Sequence, residues 1–390
     1  MRFEMPEEAL AQTHPARVLW QVLGTFDLTM FVRGAKSVDG QAGRSTHCPR
    51  MMLCVWLYAV SRGIGSAREI ERLVKSDRAF EWIAGGVPLS HDVLSNFRVD
   101  HGDALERLMG EVLGALVHKE LVTLEQVAID GTRVRAHASA PSFRRQASLH
   151  ACLEQARLHT KAVLSATHQS TRVRAAAEAA ARAFEKRVEA AIDVVGQLRA
   201  QGREKPRAST TDADARVMKM GDGGFRPAYN IQLAVAGSEL GGPRTTVGVR
   251  VSQKGNDYDG LVAVTEDVHA RTGKYPDAVL ADGGFASHAG IDALAERGVR
   301  PIVSVTEGDK TSAVRKPSDA VAAWRDDMET EDAKRRYKAR AGLVELKNGR
   351  FKKSFGLAQL LVRGVAKVTC VVLMTAIADN LLQHAAKLLA

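Results

Sequence analysis

Three acidic residues, each on a different predicted element, are the positions of this chain best suited to chemistry. Asp130 closes the apolar run LEQVAID and is followed by Gly-Thr-Arg-Val, and Asp282 ends a second buried-strand pattern, AVLAD. Glu345 lies in a helical stretch, with Lys352 seven residues later. Carboxylates brought together from separate segments are ligands for hard divalent cations such as Mg²⁺. The sequence therefore predicts that Asp130, Asp282 and Glu345 form one carboxylate site.

Such a site would suit the cutting and joining of phosphodiester bonds. Two divalent ions about 3.5–4 Å apart can activate an attacking water and stabilise the leaving 3′ oxygen. Each acidic residue alone has an ordinary interpretation, since an Asp before Gly is usually a turn residue and a lone helical Glu is usually solvated. The prediction depends on the conjunction of the three residues with the order of the elements that carry them.

The charge of the chain agrees with a nucleic-acid partner. The 390 residues include 55 Lys and Arg against 45 Asp and Glu, which gives a formal net charge of +10. A surplus of that size attracts polyanions and releases counterions from nucleic-acid phosphates, although a merely basic protein is the alternative. Four cysteines without CxxC spacing predict reduced core thiols in a cytoplasmic protein. With DNA as the partner, we expect the protein to be associated with the nucleoid.

No segment predicts membrane insertion. Residues 1–20 lack the basic and apolar regions of a signal peptide. The longest apolar stretch, Val368–Leu382, is interrupted by Asp379 and Asn380 and is too short to span a bilayer. We therefore expect a core helix there.

Residues 1 to 120 have the pattern of an all-helical region. Met51–Arg62 is an apolar helix, and Ser66 precedes the next helix, Ala67–Lys75, with the spacing of a capping box. Two short helices around a glycine-rich turn, with Arg68 and Arg98 nearby, resemble a helix-turn-helix in outline. A plain helical bundle is the other interpretation. The first predicts that Arg68 and Arg98 contact DNA.

The remainder of the chain alternates strands with helices. The Ala-, Arg- and Glu-rich stretch 145–205 predicts a long helix or helical hairpin after the first strand. Tyr229–Ala236 and Thr245–Ser252 predict a hairpin, and further helices and strands follow. The order predicts a mixed sheet flanked by helices. The expected organisation is a helical N-terminal domain at 1–120, a catalytic domain at 121–144 and 209–390, and a helical insertion arm at 145–208.

Eight segments together resemble the bacterial insertion-sequence DDE transposases of the Tyr-Arg-Glu-Lys signature group. The resemblance covers nearly the whole chain, and its motifs are specific only in combination. They are Thr13–Trp20, Val55–Leu73, His91–Arg98, Ala128–Ser139 with Ser142–Arg145, Thr211–Gln232, Leu280–Ser287, Tyr337–Arg340 with Glu345, and Leu360–Val368.

This resemblance implies a ribonuclease-H-like fold in which Asp130, Asp282 and Glu345 hold two Mg²⁺ or Mn²⁺ ions. Tyr337, Arg340 and Lys352 match the other signature positions, which implies roles in contacting DNA. Two departures stand out. Four residues separate Arg340 from Glu345, where the signature usually has three, and the segment after Glu345 is less arginine-rich than usual.

The implied function is a transposase that binds insertion-sequence ends, cleaves a strand there and transfers the 3′ hydroxyl into target DNA. Its expected partners are double-stranded DNA, as terminal inverted repeats and target, and a second copy of the chain. Two alternatives remain: a non-catalytic DNA-binding protein derived from a transposase, and a ribonuclease-H-like nuclease that cuts without joining.

Overall fold

Six of the described α-helices form the N-terminal part of the chain, and side chains cap the starts of four of them. The structure, a computed structural model, describes residues 9–32, 47–166, 170–237, 242–305 and 317–390. Ser66 accepts from the amide of Glu69, as its spacing predicts, and Ser90 caps the fifth helix. The helices are α1 (Pro15–Leu23), α2 (Pro49–Ser61), α3 (Ala67–Leu73), α4 (Arg78–Ala84), α5 (His91–Asp100) and α6 (Gly102–His118).

A mixed sheet follows these helices. The order of five of its strands is β4-β5-β1-β7-β8. The sixth strand, β6, pairs with β5 on the side where β4 also pairs, opposite β1. β5 is antiparallel to β1 and β6, whereas β7 is parallel to β1 and β8 is parallel to β7. The carboxyl ends of β1, β6 and β7 therefore lie at one end of the sheet. The strands are β1 (Val127–Arg135), β2 (Phe143–Arg144), β3 (Ala208–Ser209), β4 (Arg216–Lys219), β5 (Phe225–Ala236), β6 (Thr245–Ser252), β7 (Ala278–Ala281) and β8 (Arg300–Val303), of which β2 and β3 form a separate pair.

The first strand is longer than the sequence predicts. β1 continues past Asp130 to Arg135, and all nine of its residues pair with β5. The prediction that this strand ends at Asp130 is therefore wrong, because Gly131 and the residues after it keep the ladder with β5. The predicted hairpin of Tyr229–Ala236 and Thr245–Ser252 is confirmed by β5 and β6.

The predicted helical arm is a pair of helices, α7 (Gln146–Ser165) and α8 (Thr171–Ala200), packed on each other. At the base of the arm, apolar side chains pack together in a hydrophobic cluster that includes Leu149, Val194, Val195 and Ala208. This cluster is separate from the main core, which extends without interruption from the N-terminal helices to the sheet. The arm therefore projects from the core as a satellite element.

The later helices cover the sheet and return to the N-terminal region. They are α9 (Gly260–Thr272), α10 (His288–Glu296), α11 (Asp319–Met328), α12 (Glu331–Arg340), α13 (Leu346–Lys353) and α14 (Val365–Leu389). The expected continuous helix around Glu345 is interrupted, because a π-helical turn, Ala341–Glu345, joins α12 to α13. α14 packs on α1, α2, α5, α6 and β6.

The C-terminal helix is the predicted core helix, although it is longer than predicted. By length and hydropathy α14 is the one described helix that could span a membrane, but 67% of that apolar window is buried in the fold. A polar residue of this helix, Asn380, bonds to the sheet. The side chain of Asn380 accepts from the amide of Thr246 at 3.0 Å and donates to its carbonyl at 2.8 Å, so it satisfies a backbone position of β6.

Candidate active site

The structure places Asp130 on β1 and Asp282 directly after the neighbouring parallel strand β7. Ala128 of β1 pairs with Leu280 of β7, and each acidic residue stands two positions further along the chain, Asp130 within β1 and Asp282 one residue past the end of β7. Neighbouring strands lie about 4.8 Å apart and residues two positions apart share a face, so both carboxylates leave the same face of the sheet. Asp282 also acts electrostatically on Asp130, since it raises the pKa of that carboxyl. The shared carboxylate site of Asp130, Asp282 and Glu345 stays a prediction.

Asp130 is the more buried member of the pair. Burial is the main cause that raises its pKa to about 6, Asp282 adds to the rise, and the guanidinium of Arg340 opposes it. One carboxylate oxygen, Oδ2, accepts from Nδ2 of Asn348 at 2.8 Å. Asn348 belongs to α13, so this bond connects the helix that follows Glu345 directly to the strand residue.

Asp282 is held by its own turn. It is the cap of a short 3₁₀ turn, Gly283–Phe285, and its Oδ1 accepts from the amide of Gly284 at 2.9 Å. The turn fixes one oxygen of the carboxylate, so the side chain stays near the end of β7. This is the ordinary turn role of an Asp before Gly, and here it coexists with the position next to Asp130.

Glu345 ends the π-helical turn, with Leu343 and Val344 buried below it against β1 and β5. Its carboxylate is 56% exposed and lies 3.4 Å from Nη2 of Arg340. In a regular α-helix residues five apart point about 140° away from each other, so the wider turn is what lets this pair meet. Arg340 thus lies between the carboxylates of Asp130 and Glu345.

The described residues contain no group of three or more Asp, Glu, His or Cys side chains close enough to hold a metal ion. The structure therefore brings together Asp130 and Asp282 and pairs Glu345 with Arg340 instead. One observation supports a cation beside Asp130: Oδ1 of Asn348 is buried and has no hydrogen-bond partner in the part of the chain that is described. Carboxylate and amide oxygens are ligands of the kind that Mg²⁺ takes, so the donor set fits such an ion.

Two other predicted contact residues lie beside the same carboxylates. Lys352 is partly buried, and burial lowers its pKa while the negative charge of Asp130 counteracts that effect. The ring of Tyr337 lies 5.7 Å from the guanidinium carbon of Arg340, which it helps to position. Arg340 and Lys352 are therefore cations that flank Asp130.

The two predicted DNA contacts of the N-terminal helices have different environments. Arg68 is exposed on α3. Arg98 is 7% exposed, and it donates to the carbonyl of Gly65 at 2.7 Å and lies over the ring of Trp56. Burial lowers the pKa of Arg98 to about 10. The predicted DNA contact by Arg98 does not fit this position, because its charged group stabilises the helical core instead of facing solvent.

A buried carboxylate that the sequence analysis missed lies behind β1. Asp257 accepts from the side-chain amides of Asn230 at 2.6 Å and Gln232 at 3.0 Å, and it pairs with Arg133 at 3.1 Å. A Cβ on Gly131 would be 2.1 Å from its Oδ1, so only glycine fits beside it. Glycine inside a strand marks a close approach of another group, and that signal could have led to Asp257.

A second buried carboxylate, that of Asp379, binds the helix that follows Glu345. Asp379 of α14 is fully buried and accepts from Nζ of Lys347, from Nε of Arg350 at 2.7 Å and from Nε2 of Gln383 at 2.7 Å. Lys347 is itself 2% exposed, and burial lowers its pKa. Because removing one partner from a buried ion pair is strongly destabilising, this cluster fixes where α13 starts and so where Glu345 stands.

Two family models match the chain. A family model described as a transposase DDE domain matches residues 123–381, and a second, described as a transposase domain, matches residues 4–100. No curated protein and no solved structure matches the chain. The first match covers more than half of the chain and includes β1, β7 and the π-helical turn. The chain therefore belongs to the insertion-sequence DDE transposases.

Proposed function

We propose that this chain binds the terminal inverted repeats of an insertion sequence, cleaves a strand at each end and transfers the 3′ hydroxyl into target DNA. The observation that carries the proposal is the placement of Asp130 on β1 and of Asp282 directly after the adjacent parallel strand β7, on a chain of the DDE transposase family. Glu345, one π-helical turn after Arg340, is the third carboxylate of the proposed site.

In this proposal Asp130, Asp282 and Glu345 hold two Mg²⁺ or Mn²⁺ ions, in keeping with the use of divalent ions by the family. Such ions, when bound, activate the attacking hydroxyl and stabilise the leaving oxygen. The chain itself orients the carboxylates. Asn348 holds one oxygen of Asp130, and the turn at Gly284 holds one oxygen of Asp282.

The flanking cations bind the scissile DNA in this proposal. Arg340 and Lys352 lie beside Asp130, where they would neutralise phosphate oxygens next to the cleaved bond. Burial lowers the pKa of Lys352, and the carboxylate of Asp130 acts in the opposite direction by favouring the charged ammonium. Arg340 also pairs with Glu345, so in this proposal phosphate and the Glu345 carboxylate compete for the same guanidinium.

The sheet order supports the ribonuclease-H-like fold that the resemblance implies, with the antiparallel strands β4, β6, β5 and β1 followed by the parallel strands β7 and β8. The π-helical turn also supports membership of the Tyr-Arg-Glu-Lys signature group. A π-helical turn is one residue wider than an α-helical turn, so it absorbs the additional residue between Arg340 and Glu345. Tyr337 and Lys352 then keep their signature positions relative to those two residues.

The proposed partners are duplex DNA, both terminal repeats and target, and a second copy of the chain bound at the other end of the element. The net charge of +10 and the exposed position of Arg68 on α3 support a phosphate-binding N-terminal region. Association with the nucleoid would follow from this substrate. The proposed boundaries are 1–120, 145–208 and the two catalytic segments 121–144 and 209–390.

The test is a cleavage and joining assay with Mg²⁺ on duplexes that carry the inverted repeats flanking the coding region. Glu345→Gln keeps the side-chain volume and removes the charge, so we expect loss of cleavage and joining by orders of magnitude with DNA binding retained. Glu331→Gln, an exposed Glu on α12, is the matched control and should stay active.

Three outcomes separate the candidate functions. Cleavage and joining at the wild-type rate by Glu345→Gln would contradict the catalytic assignment. Cleavage without joining by the wild type would favour a nuclease. DNA binding without either reaction in the wild type would favour the non-catalytic DNA-binding protein.

A further inference from the structure

A large open groove lies between the base of the helical arm and the edge of the sheet. Its volume is about 990 Å³. The walls are the end of α8 with the connector that follows it (residues 197–207), the start of β4 at Arg216 and Val217, and the connection between β6 and α9 (residues 253–259). None of the carboxylates of the proposed active site lines it, so the groove is a separate feature.

The groove is basic. Five cations and two carboxylates line it: Arg203, Lys205, Arg207, Arg216, Lys254, Glu204 and Asp259. Lys254 is paired with Asp259, and Arg216 donates to backbone carbonyls, so these two cations are already engaged. Arg203, Lys205 and Arg207 are exposed along seven residues of connector. Their spacing presents a line of positive charge that suits a chain of phosphates.

An aromatic side chain stands in the same groove. Tyr258 is 55% exposed, and the neighbouring apolar side chain in the groove, Val217, is 49% exposed. A basic groove that contains an exposed aromatic ring is the combination by which proteins bind single-stranded nucleic acid, because the cations follow the backbone and bases stack on the ring. A duplex offers no free base face for such stacking.

One side chain connects the groove to β1, the strand that carries Asp130. Arg133, three residues after Asp130 on β1, donates to the carbonyl of Gly255 in the groove wall at 2.9 Å and pairs with Asp257 at 3.1 Å. The groove wall follows β6, whose carboxyl end lies at the same end of the sheet as Asp282. The groove and Asp282 therefore lie toward the same end of the sheet.

We infer that this groove binds an unpaired segment of DNA next to the cleavage site, with phosphates on Arg203, Lys205 and Arg207 and a base stacked on Tyr258. The inference rests on the proposed function, since it places the segment beside a site that cuts DNA ends. It adds single-stranded DNA as a ligand and assigns its binding to residues outside the carboxylate site.

The test compares two fluorescent probes on the full chain: a blunt duplex with the element's terminal repeat, and the same duplex with a tail of thymidines. We expect the tail to increase affinity for the wild type. The triple variant Arg203→Gln, Lys205→Gln, Arg207→Gln should lose this increase in affinity. For the tailed probe, the slope of log affinity against log salt should be smaller in magnitude for the triple variant than for the wild type by about 2, which is about 0.7 for each lost phosphate contact. Tyr258→Ala should lower affinity for the tail about 5- to 150-fold, and Tyr258→Phe should retain it.

A matched control changes three exposed cations that lie outside the groove, on α8: Arg172→Gln, Arg182→Gln and Lys186→Gln. It should leave the increment from the tail unchanged, whatever its effect on the blunt duplex. If both triple variants lost the tail's contribution to affinity equally, the groove assignment alone would be overturned. The same holds if the wild type binds the blunt duplex but gains no affinity from the tail. A wild type that binds and cuts neither probe would overturn the proposed function as well.

Discussion

Replacing Asp130 by Asn removes a buried negative charge without changing the size of the side chain. The folded protein holds the pKa of Asp130 at about 6 instead of 3.8, mainly through burial. A raised pKa means that the native state binds this proton more tightly than the unfolded chain does. The stability that the proton contributes is complete below about pH 4 and is lost as the pH rises through about 6.

The magnitude follows from the size of the shift. A difference of about two pKa units, at about 1.4 kcal/mol per unit, means that the ionised carboxylate lowers the free energy of unfolding by about 3 kcal/mol at neutral pH. Asn348 still has an oxygen to donate to in Asp130→Asn, so its bond survives. We therefore expect the metal-free variant to be more stable than the wild type by about 1–3 kcal/mol at about pH 8 and equally stable near pH 4.

The assay is denaturant unfolding in a chelator at both pH values, repeated with Mg²⁺ near pH 8. Mg²⁺ should stabilise the wild type and leave Asp130→Asn unchanged, because a ligand that binds only the native state adds to its stability. Glu331→Gln controls for the loss of one exposed charge and should change stability by less than about 0.5 kcal/mol. A variant that is no more stable than the wild type at about pH 8, or whose advantage is the same near pH 4, would refute the reasoning.

Two further substitutions test the buried carboxylates that hold β1 and α13 in place, Asp257 and Asp379. Gly131→Ala would place a Cβ 2.1 Å from Oδ1 of Asp257, so we expect a loss of about 1–3 kcal/mol of unfolding free energy and a displaced β1, both measurable by denaturation and by cleavage rate. A variant as stable and active as the wild type would show that Asp257 does not pack there. Asp379→Ala leaves Lys347 buried without its partner and should cost about 3–5 kcal/mol, whereas a thermal unfolding midpoint equal to that of the wild type would contradict the anchoring role.

The sequence predicts the elements of the sheet better than it predicts their ends. The apolar runs before Asp130 and Asp282 identify β1 and β7, and the capping spacing at Ser66 identifies α3, because these signals are local. The end of β1 depends on pairing with β5, which lies about a hundred residues further along the chain. No local pattern could show that the strand continues through Gly131.

The missed residues of the site depend on tertiary contacts. Asp257 stands in the run Gly-Asn-Asp-Tyr-Asp-Gly, which has the composition of a turn, and its burial appears only when β5 and β6 bring Asn230 and Gln232 against it. Arg98 has the sequence environment of a surface cation, but the carbonyl of Gly65 and the ring of Trp56 surround it. Sequence patterns find charged residues and do not show which of them face solvent.

The position of α14 has a consequence for how such a gene loses function. This helix fills the space between the N-terminal helices and β6, and in α2 every residue from Met51 to Val60 is buried. A stop codon anywhere before Val365 would therefore leave the first helices without a cover and expose that apolar surface. We expect such shortened products to be degraded before they can occupy DNA ends. Copies of the element that decay from the 3′ side would then become silent without inhibiting intact copies in the same cell.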